Sequence, residues 1–237
     1  MKSKLNVCYI CGGPGSKSDP LNKDHVPPKC LFKTTGENTS INLITLPAHT
    51  SCNSGKKADD EYLRLIVITK ASEMHPDAKD LWDDKVMGQI RRPEGRGFHR
   101  MILESMQEYQ VQSPSGILLK NQRALNIDGQ RFSRILFKIC QGLYYKESNR
   151  VLQPTVPYVV YPLIDRLQDF KNLEEAKGKF KTVGNGIFKY WWSHDERNLQ
   201  DGHFWLTFYD VIDMMITLGN KIVPPSPLVK NGIVRAI

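Results

Sequence analysis

Cysteine is scarce in this chain, and long apolar runs and internal repeats are absent from its sequence. Five cysteines in 237 residues are sparse and odd in number, which argues against the disulfide framework of small secreted proteins. No apolar run approaches the length of a membrane span, and residues 1–6 contain no apolar core of a secretion signal. The sequence therefore predicts reduced thiols, no membrane segment and a cytoplasmic location.

Acidic residues are outnumbered by basic ones. The chain has 33 lysines and arginines against 25 aspartates and glutamates, a formal net charge of +8. This excess favours a polyanionic partner, although many basic proteins bind no nucleic acid. The length allows one large domain or two small ones.

The cysteines near the N-terminus belong to two pairs of potential metal ligands with the same spacing. Two residues separate Cys8 from Cys11, and two residues separate His49 from Cys52. Three thiolates and one imidazole can form the closed tetrahedral shell of a structural zinc ion. The alternative is that the cysteines are ordinary reduced thiols and that His49 is a loop residue. Because the spacing occurs twice, we favour the zinc site.

Between these pairs, the residue pattern predicts two strands followed by a helix. Residues 21–25 can form a short strand that ends before two prolines, which cannot donate to a sheet. Residues 41–46 indicate a second strand. From Ser51 onward the apolar residues recur at helical spacing, to about residue 74.

Polar residues at fixed positions in this segment resemble the motif of the HNH endonucleases. The resemblance rests on the order and approximate spacing of Asp24, His25, Asn42, Asn53 and Lys56 between and just after the zinc ligands. It covers residues 8–57, about a quarter of the chain. Two positions depart from the commonest pattern, since Asn53 replaces a histidine and His49 a cysteine. The resemblance implies an α+β protein that begins with a zinc-stabilised ββα-metal unit and cleaves DNA.

The chemistry of phosphodiester hydrolysis explains the residue types of the motif. His25 would act as the general base, because a histidine has an ordinary pKa of about 6.5. Asp24 and Asn53 offer hard oxygen ligands for Mg²⁺ or Mn²⁺, which would stabilise the phosphate and the 3′ leaving oxygen. By resemblance, Asn42 supports the loop that orients His25. Neighbours in a regular strand face opposite sides, so we expect a distorted strand end that brings Asp24 and His25 to one cleft.

Six basic residues are candidates for contacts with DNA phosphates. Two belong to the motif, where Lys29 follows His25 and Lys56 is the last residue. The other four cluster around two glycines at the start of a predicted helix: Arg91, Arg92, Arg96 and Arg100. For both groups the alternative of merely solvated cations stays open. No motif for a small-molecule cofactor is evident.

The remaining residues, 76–237, are predicted to form an α+β accessory domain behind an HNH domain of residues 1–75. Apolar spacing and turn residues predict helices at about 77–90, 98–106 and 128–145, a hairpin at 107–127, and strands at 156–163, 187–192 and 203–211. The aromatic residues of the last strands are best explained as the core of a small antiparallel sheet. We expect this domain to position the nuclease on its target.

Three functions are compatible with the sequence. The first is a metal-dependent DNA endonuclease, in restriction, anti-phage defence or mobile-element processing. The second is a catalytically silent, zinc-stabilised nucleic-acid-binding module, and the third is a protein-interaction module. A homodimer or a partner protein would suit any of them. Cleavage of plasmid DNA with Mg²⁺ or Mn²⁺ separates the first function from the others, and DNA retention without cleavage separates the second from the third.

Overall fold

Helices and small antiparallel sheets make up a computed structural model of the chain, which describes residues 6–33, 42–54, 56–92, 96–110, 122–162, 179–195 and 197–219. The helices are α1 (Thr50–Asn53), α2 (Lys56–Ala71), α3 (Pro76–Leu81), α4 (Met87–Arg91), α5 (Arg96–Ser105) and α6 (Gly129–Ser148). The strands are β1 (Leu21–Val26), β2 (Ile44–His49), β3 (Met106–Tyr109), β4 (Gln122–Leu125), β5 (Tyr158–Pro162), β6 (Lys181–Val183), β7 (Phe188–His194), β8 (Gly202–Phe208) and β9 (Ile212–Leu218). The described strands form the pairs β1-β2 and β3-β4 and a five-stranded sheet in the order β5-β9-β8-β7-β6. The prediction of mixed helix and strand with small antiparallel sheets is confirmed.

The hairpin of β1 and β2 carries the motif residues in a regular register. Asp24 lies opposite Leu46, and His25 lies opposite Thr45. Because alternate residues of a strand face opposite sides, Asp24 is buried on the inner face while His25 is half-buried on the outer one. The pairing stays regular as far as Val26, so the distortion that we expected at this strand end does not occur within the strand.

Helix α6 packs directly against β1. Its N-cap is Asp128, whose carboxylate accepts a hydrogen bond from the backbone N–H of Arg131 at 3.0 Å. A Cβ atom on Gly142 would lie 2.7 Å from Cγ2 of Val26 and 3.1 Å from its Cβ. Glycine at this position therefore permits the close approach of helix and strand.

One hydrophobic cluster extends through both halves of the chain. It includes buried residues of α2, α6 and the five-stranded sheet, such as Leu63, Leu136 and Phe204. The phenolic O–H of Tyr209, just after β8, donates to the carbonyl of Leu31 at 2.5 Å. The buried residues on either side of position 75, where the sequence predicted a domain boundary, thus belong to the same cluster.

The later elements agree with the predicted ones in kind and differ at their ends. The helix expected at 77–90 is divided into α3, a π-helical turn at Trp82–Val86, and α4. The strand expected at 203–211 ends at Phe208, because Tyr209 and Asp210 adopt positive φ angles of 57° and 55° and turn the chain into β9. Strands β3 and β4 form the predicted hairpin, whose connecting residues 111–121 lie outside the described residues. Among the described helices, none is long and apolar enough to cross a membrane.

Gly142→Ala is expected to lower the thermal stability of the protein. Overpacking a close contact typically costs about 1–3 kcal/mol, and Val26 cannot yield easily because its branched side chain is stiff. Gly88→Ala is the matched control, since a Cβ atom there meets nothing within 4 Å and alanine gains about 1 kcal/mol of helix propensity. Thermal denaturation of both variants should place Gly142→Ala below Gly88→Ala; equal midpoints would contradict the packing.

Candidate functional site

The four predicted zinc ligands lie together in the folded chain. The sulfur atoms of Cys8, Cys11 and Cys52 and a ring nitrogen of His49 all lie within 4.8 Å of one another. A tetrahedral zinc shell, with Zn–S bonds of about 2.3 Å, needs ligand atoms about 3.8 Å apart. The cluster could therefore hold a metal ion such as zinc.

The His49 ring is oriented as a metal ligand requires. Its Nδ1 atom lies 3.2 Å from Sγ of Cys11 and 4.0 Å from Sγ of Cys52. Its Nε2 atom lies 2.9 Å from the carbonyl oxygen of Pro14. With Nε2–H donating to this carbonyl, the lone pair of Nδ1 faces the sulfur atoms, the usual outer-shell arrangement of a ligating histidine.

Backbone N–H groups of the N-terminal turn and of the end of β2 support the sulfur atoms. The N–H of His49 donates to Sγ of Cys8 at 3.4 Å, and the N–H of Gly13 donates to Sγ of Cys11 at 3.5 Å. Gly12 has a φ angle of 79°, which glycine adopts without strain.

Burial and the neighbouring thiols raise the pKa of Cys52 to about 11. A bound cation would have to displace this thiol proton, so metal binding should weaken in acid.

Asp24 is held by two partners on the inner face of the hairpin. The phenolic O–H of Tyr9 donates to Oδ2 of Asp24 at 2.6 Å. The Lys56 ammonium forms an ion pair with the same carboxylate oxygen and lies 2.9 Å from the Tyr9 hydroxyl. Lys56 and Asp24 thus form a largely buried ion pair, since little of either side chain is in contact with solvent.

Two further charged residues adjoin this ion pair and were not singled out from the sequence. Asp60 lies one helical turn after Lys56 in α2, and burial, together with repulsion from Asp24, raises its pKa to about 6 against the opposing effect of Lys56. Lys138 of α6 donates to the carbonyl of Cys52 at 3.2 Å. Burial, reinforced by Lys56, lowers the pKa of Lys138 to about 8. The spacing from Lys56 could have indicated Asp60, whereas no sequence pattern links Lys138 to the motif.

Asn53, at the end of α1, has a buried side-chain oxygen. Among the residues that the structure describes, Oδ1 of Asn53 has no hydrogen-bond partner. Buried polar atoms are nearly always paired, so an exception needs an explanation. An amide oxygen is a suitable ligand for a hard cation.

The other motif residues are at least partly exposed. Burial, with a further contribution from the Lys29 ammonium, lowers the pKa of His25. Lys29 is exposed, and it lies near enough to His25 to affect the ring electrostatically. Asn42 is also exposed, and its carbonyl accepts a hydrogen bond from the N–H of Gly184 at 3.1 Å.

The four candidate arginines lie at the surface. Arg91 and Arg92 are at the end of α4, and Arg96 and Arg100 are in α5. All four are exposed, which is compatible with a DNA contact and equally with a solvated face. Residues 93–95 between the two pairs lie outside the described residues.

Comparisons with known proteins identify no relative of this chain. No protein-family model, curated protein or solved structure matches the chain.

Proposed function

We propose that the chain is a metal-dependent endonuclease of the HNH type, built on a ββα-metal unit, that hydrolyses phosphodiester bonds of DNA. The observation that carries this proposal is the unpartnered, buried Oδ1 atom of Asn53. A buried polar atom without a partner costs about 1–3 kcal/mol. Such a cost is understandable if a ligand occupies the position in the working protein. Asn53 directly follows the zinc-ligand candidate Cys52. In the HNH motif, the position of Asn53 is that of a metal ligand.

The donor atoms fit a hard divalent cation. Asp24 supplies a carboxylate and Asn53 an amide oxygen, which Mg²⁺ and Mn²⁺ prefer over softer ligands. Bound by these residues, the ion would supply Lewis-acid stabilisation of the phosphate and of the leaving oxygen. The Cys8, Cys11, His49 and Cys52 cluster has soft ligands and would hold zinc as a structural ion.

His25 provides the base in this proposal. Because it lies on the opposite face of β1 from Asp24, the proposed reaction requires the phosphate to reach both faces at the end of the strand. Its lowered pKa means that the imidazole is mostly neutral at pH 7 and able to accept a proton. His25 takes a proton from water, the water oxygen attacks phosphorus, and the bond to the 3′ oxygen breaks. The nearby Lys29 and the exposed arginines would attract the polyanionic substrate.

A second candidate function is binding of nucleic acid without cleavage. The ion pair between Lys56 and Asp24 favours it, because a carboxylate that already has a cationic partner does not need a metal ion. Such a module would use the zinc cluster for stability and the basic surface for binding.

Asn53→Ala is expected to separate the two metal sites. Wild-type protein should cleave plasmid DNA only with Mg²⁺ or Mn²⁺. The variant should need at least about 10- to 100-fold more metal, since losing an outer-shell partner of a ligand already has that effect. Both proteins should retain one zinc ion by elemental analysis. Asn198→Ala, at an exposed residue, is the control and should behave as wild type.

Release of zinc from Asn53→Ala would show that the ligands have been assigned to the wrong sites. Retention of DNA by wild-type protein without any metal-dependent cleavage would support the second candidate function.

A further inference from the structure

Four charged side chains, two acidic and two basic, lie in one group that includes the proposed metal ligand Asp24. Asp24 comes from β1, Lys56 and Asp60 come from α2, and Lys138 comes from α6. Lys56 is bonded to Asp24 and lies one helical turn before Asp60. Lys138 reaches the same region and is fixed by its bond to the Cys52 carbonyl at 3.2 Å. Two carboxylates and two ammonium groups make this cluster electrically neutral.

The proposed ion and Lys56 would compete for one carboxylate group. The ammonium of Lys56 lies on Oδ2 of Asp24, and a divalent cation held by Asp24 would stand close to that ammonium. Like charges at such a distance repel strongly in a partly buried site. Lysine carries its charge on a flexible four-carbon stem, so Lys56 can leave Asp24 while its backbone stays in α2. Tyr9 would continue to donate to Asp24, as it does at 2.6 Å.

The charges also match the proposed reaction. A divalent ion would change the neutral cluster to a net charge of about +2, and a phosphodiester gains negative charge as water attacks it. A lysine released from Asp24 is then available to bind the substrate phosphate. Without the metal ion, the same lysine neutralises the neighbouring carboxylates of Asp24 and Asp60, which would otherwise be buried without a cationic partner.

Resting on the proposed function, we propose that Lys56 and Lys138 are resident cations of the active site: they neutralise Asp24 and Asp60 when no divalent ion is bound, and they bind the substrate phosphate when Asp24 is engaged with the ion. Lys138 makes α6, from the second half of the chain, a contributor to the site. The role of Lys56 as a phosphate contact is thereby conditional on metal binding.

The test is Mn²⁺ binding in the absence of DNA, measured by electron paramagnetic resonance of the free ion. Lys56→Met should bind Mn²⁺ about tenfold more tightly than wild type, because Asp24 loses its competing cation. Cleavage at saturating Mn²⁺ should fall by about 10²-fold, since a cation aimed at the developing charge is lost. Lys56→Arg keeps the charge and should retain weak Mn²⁺ binding.

Lys138→Met provides the same test at a second position, in case Lys56→Met does not fold. It should also tighten Mn²⁺ binding, by a smaller factor, and slow cleavage. A merely structural lysine would not tighten metal binding when removed. The matched control is Lys146→Met, an exposed residue of the same helix, which should leave both Mn²⁺ affinity and cleavage unchanged.

The outcomes distinguish this inference from the proposed function. If wild-type protein cleaves DNA with Mn²⁺ but the folded lysine-to-methionine variants bind Mn²⁺ no more tightly, the inference is wrong and the nuclease proposal stands. If neither wild type nor the variants bind Mn²⁺ or cleave, both are wrong. Tighter Mn²⁺ binding with slower cleavage supports both.

Discussion

His25→Ala is expected to slow DNA hydrolysis by about 10²- to 10⁴-fold, the usual contribution of a general base. His25 lies half-buried on the outer face of the hairpin, opposite the exposed Thr45. Its removal should therefore leave the core, the zinc content and the affinity for DNA close to those of wild type. Initial rates of plasmid nicking with saturating Mn²⁺, beside thermal denaturation, would measure the effect.

The pH profile identifies the base more specifically than the loss of rate. Only neutral imidazole accepts a proton, so activity is absent well below the pKa of His25 and present above it. Because burial and Lys29 lower that pKa, the wild-type rate should rise with pH through a midpoint below about 6.5. His194→Ala, at an exposed histidine, should keep this profile. A His25→Ala variant with the wild-type rate or the same acid limb would contradict the assignment.

Cys11→Ser is expected to abolish zinc binding and to destabilise the fold severely. Binding of a structural zinc ion contributes an apparent 10–16 kcal/mol or so, and that energy is folding energy. The side chain of Cys11 is exposed, whereas Cys8 is fully buried, so the serine variant removes a metal ligand without removing core packing. The hydrophobic cluster extends from Cys8 to Leu218, and we therefore expect the loss to spread beyond the N-terminal segment.

Elemental analysis and thermal denaturation would measure this effect, with Cys30→Ser as the control. Cys30 lies outside the four-ligand cluster and bonds to the carbonyl of Asp60 at 3.3 Å, so its replacement should leave one zinc ion per chain. A wild-type protein without bound metal, or a Cys11→Ser variant with the wild-type melting temperature, would show that the cluster does not stabilise the fold.

The parts of the site that short-range spacing defines could be predicted from the sequence. The two pairs of predicted zinc ligands converge as their spacing indicated, and β1 lies at the predicted position. Strand β2 begins three residues later than the predicted start at residue 41, and the helix predicted from Ser51 is divided into α1 and α2. The position of Lys138 beside Cys52 could not be predicted, because it depends on how α6 packs against the hairpin through Gly142. Long-range packing of this kind leaves no periodic signal in the sequence.

Strand β9 was not predicted from the sequence, for a second reason. Its sequence includes Asp213, an acidic residue that is uncommon in strands. In the folded sheet, the Asp213 carboxylate accepts hydrogen bonds from Trp205 at 3.1 Å and from Thr207 at 2.6 Å. Both partners lie on the neighbouring strand β8, so the residue that weakens the strand pattern is satisfied only by the tertiary structure.

The most direct test of metal-dependent nuclease activity is a comparison of wild-type protein and His25→Ala on supercoiled plasmid DNA. Zinc-loaded samples of both are incubated with Mn²⁺ and, in parallel, with a chelator in place of added Mn²⁺. The prediction is conversion to nicked or linear DNA by wild type with Mn²⁺ alone, and at least a hundredfold slower conversion by His25→Ala. Intact plasmid in every sample, or equal cleavage by the two proteins, would contradict an endonuclease that uses His25 as its base.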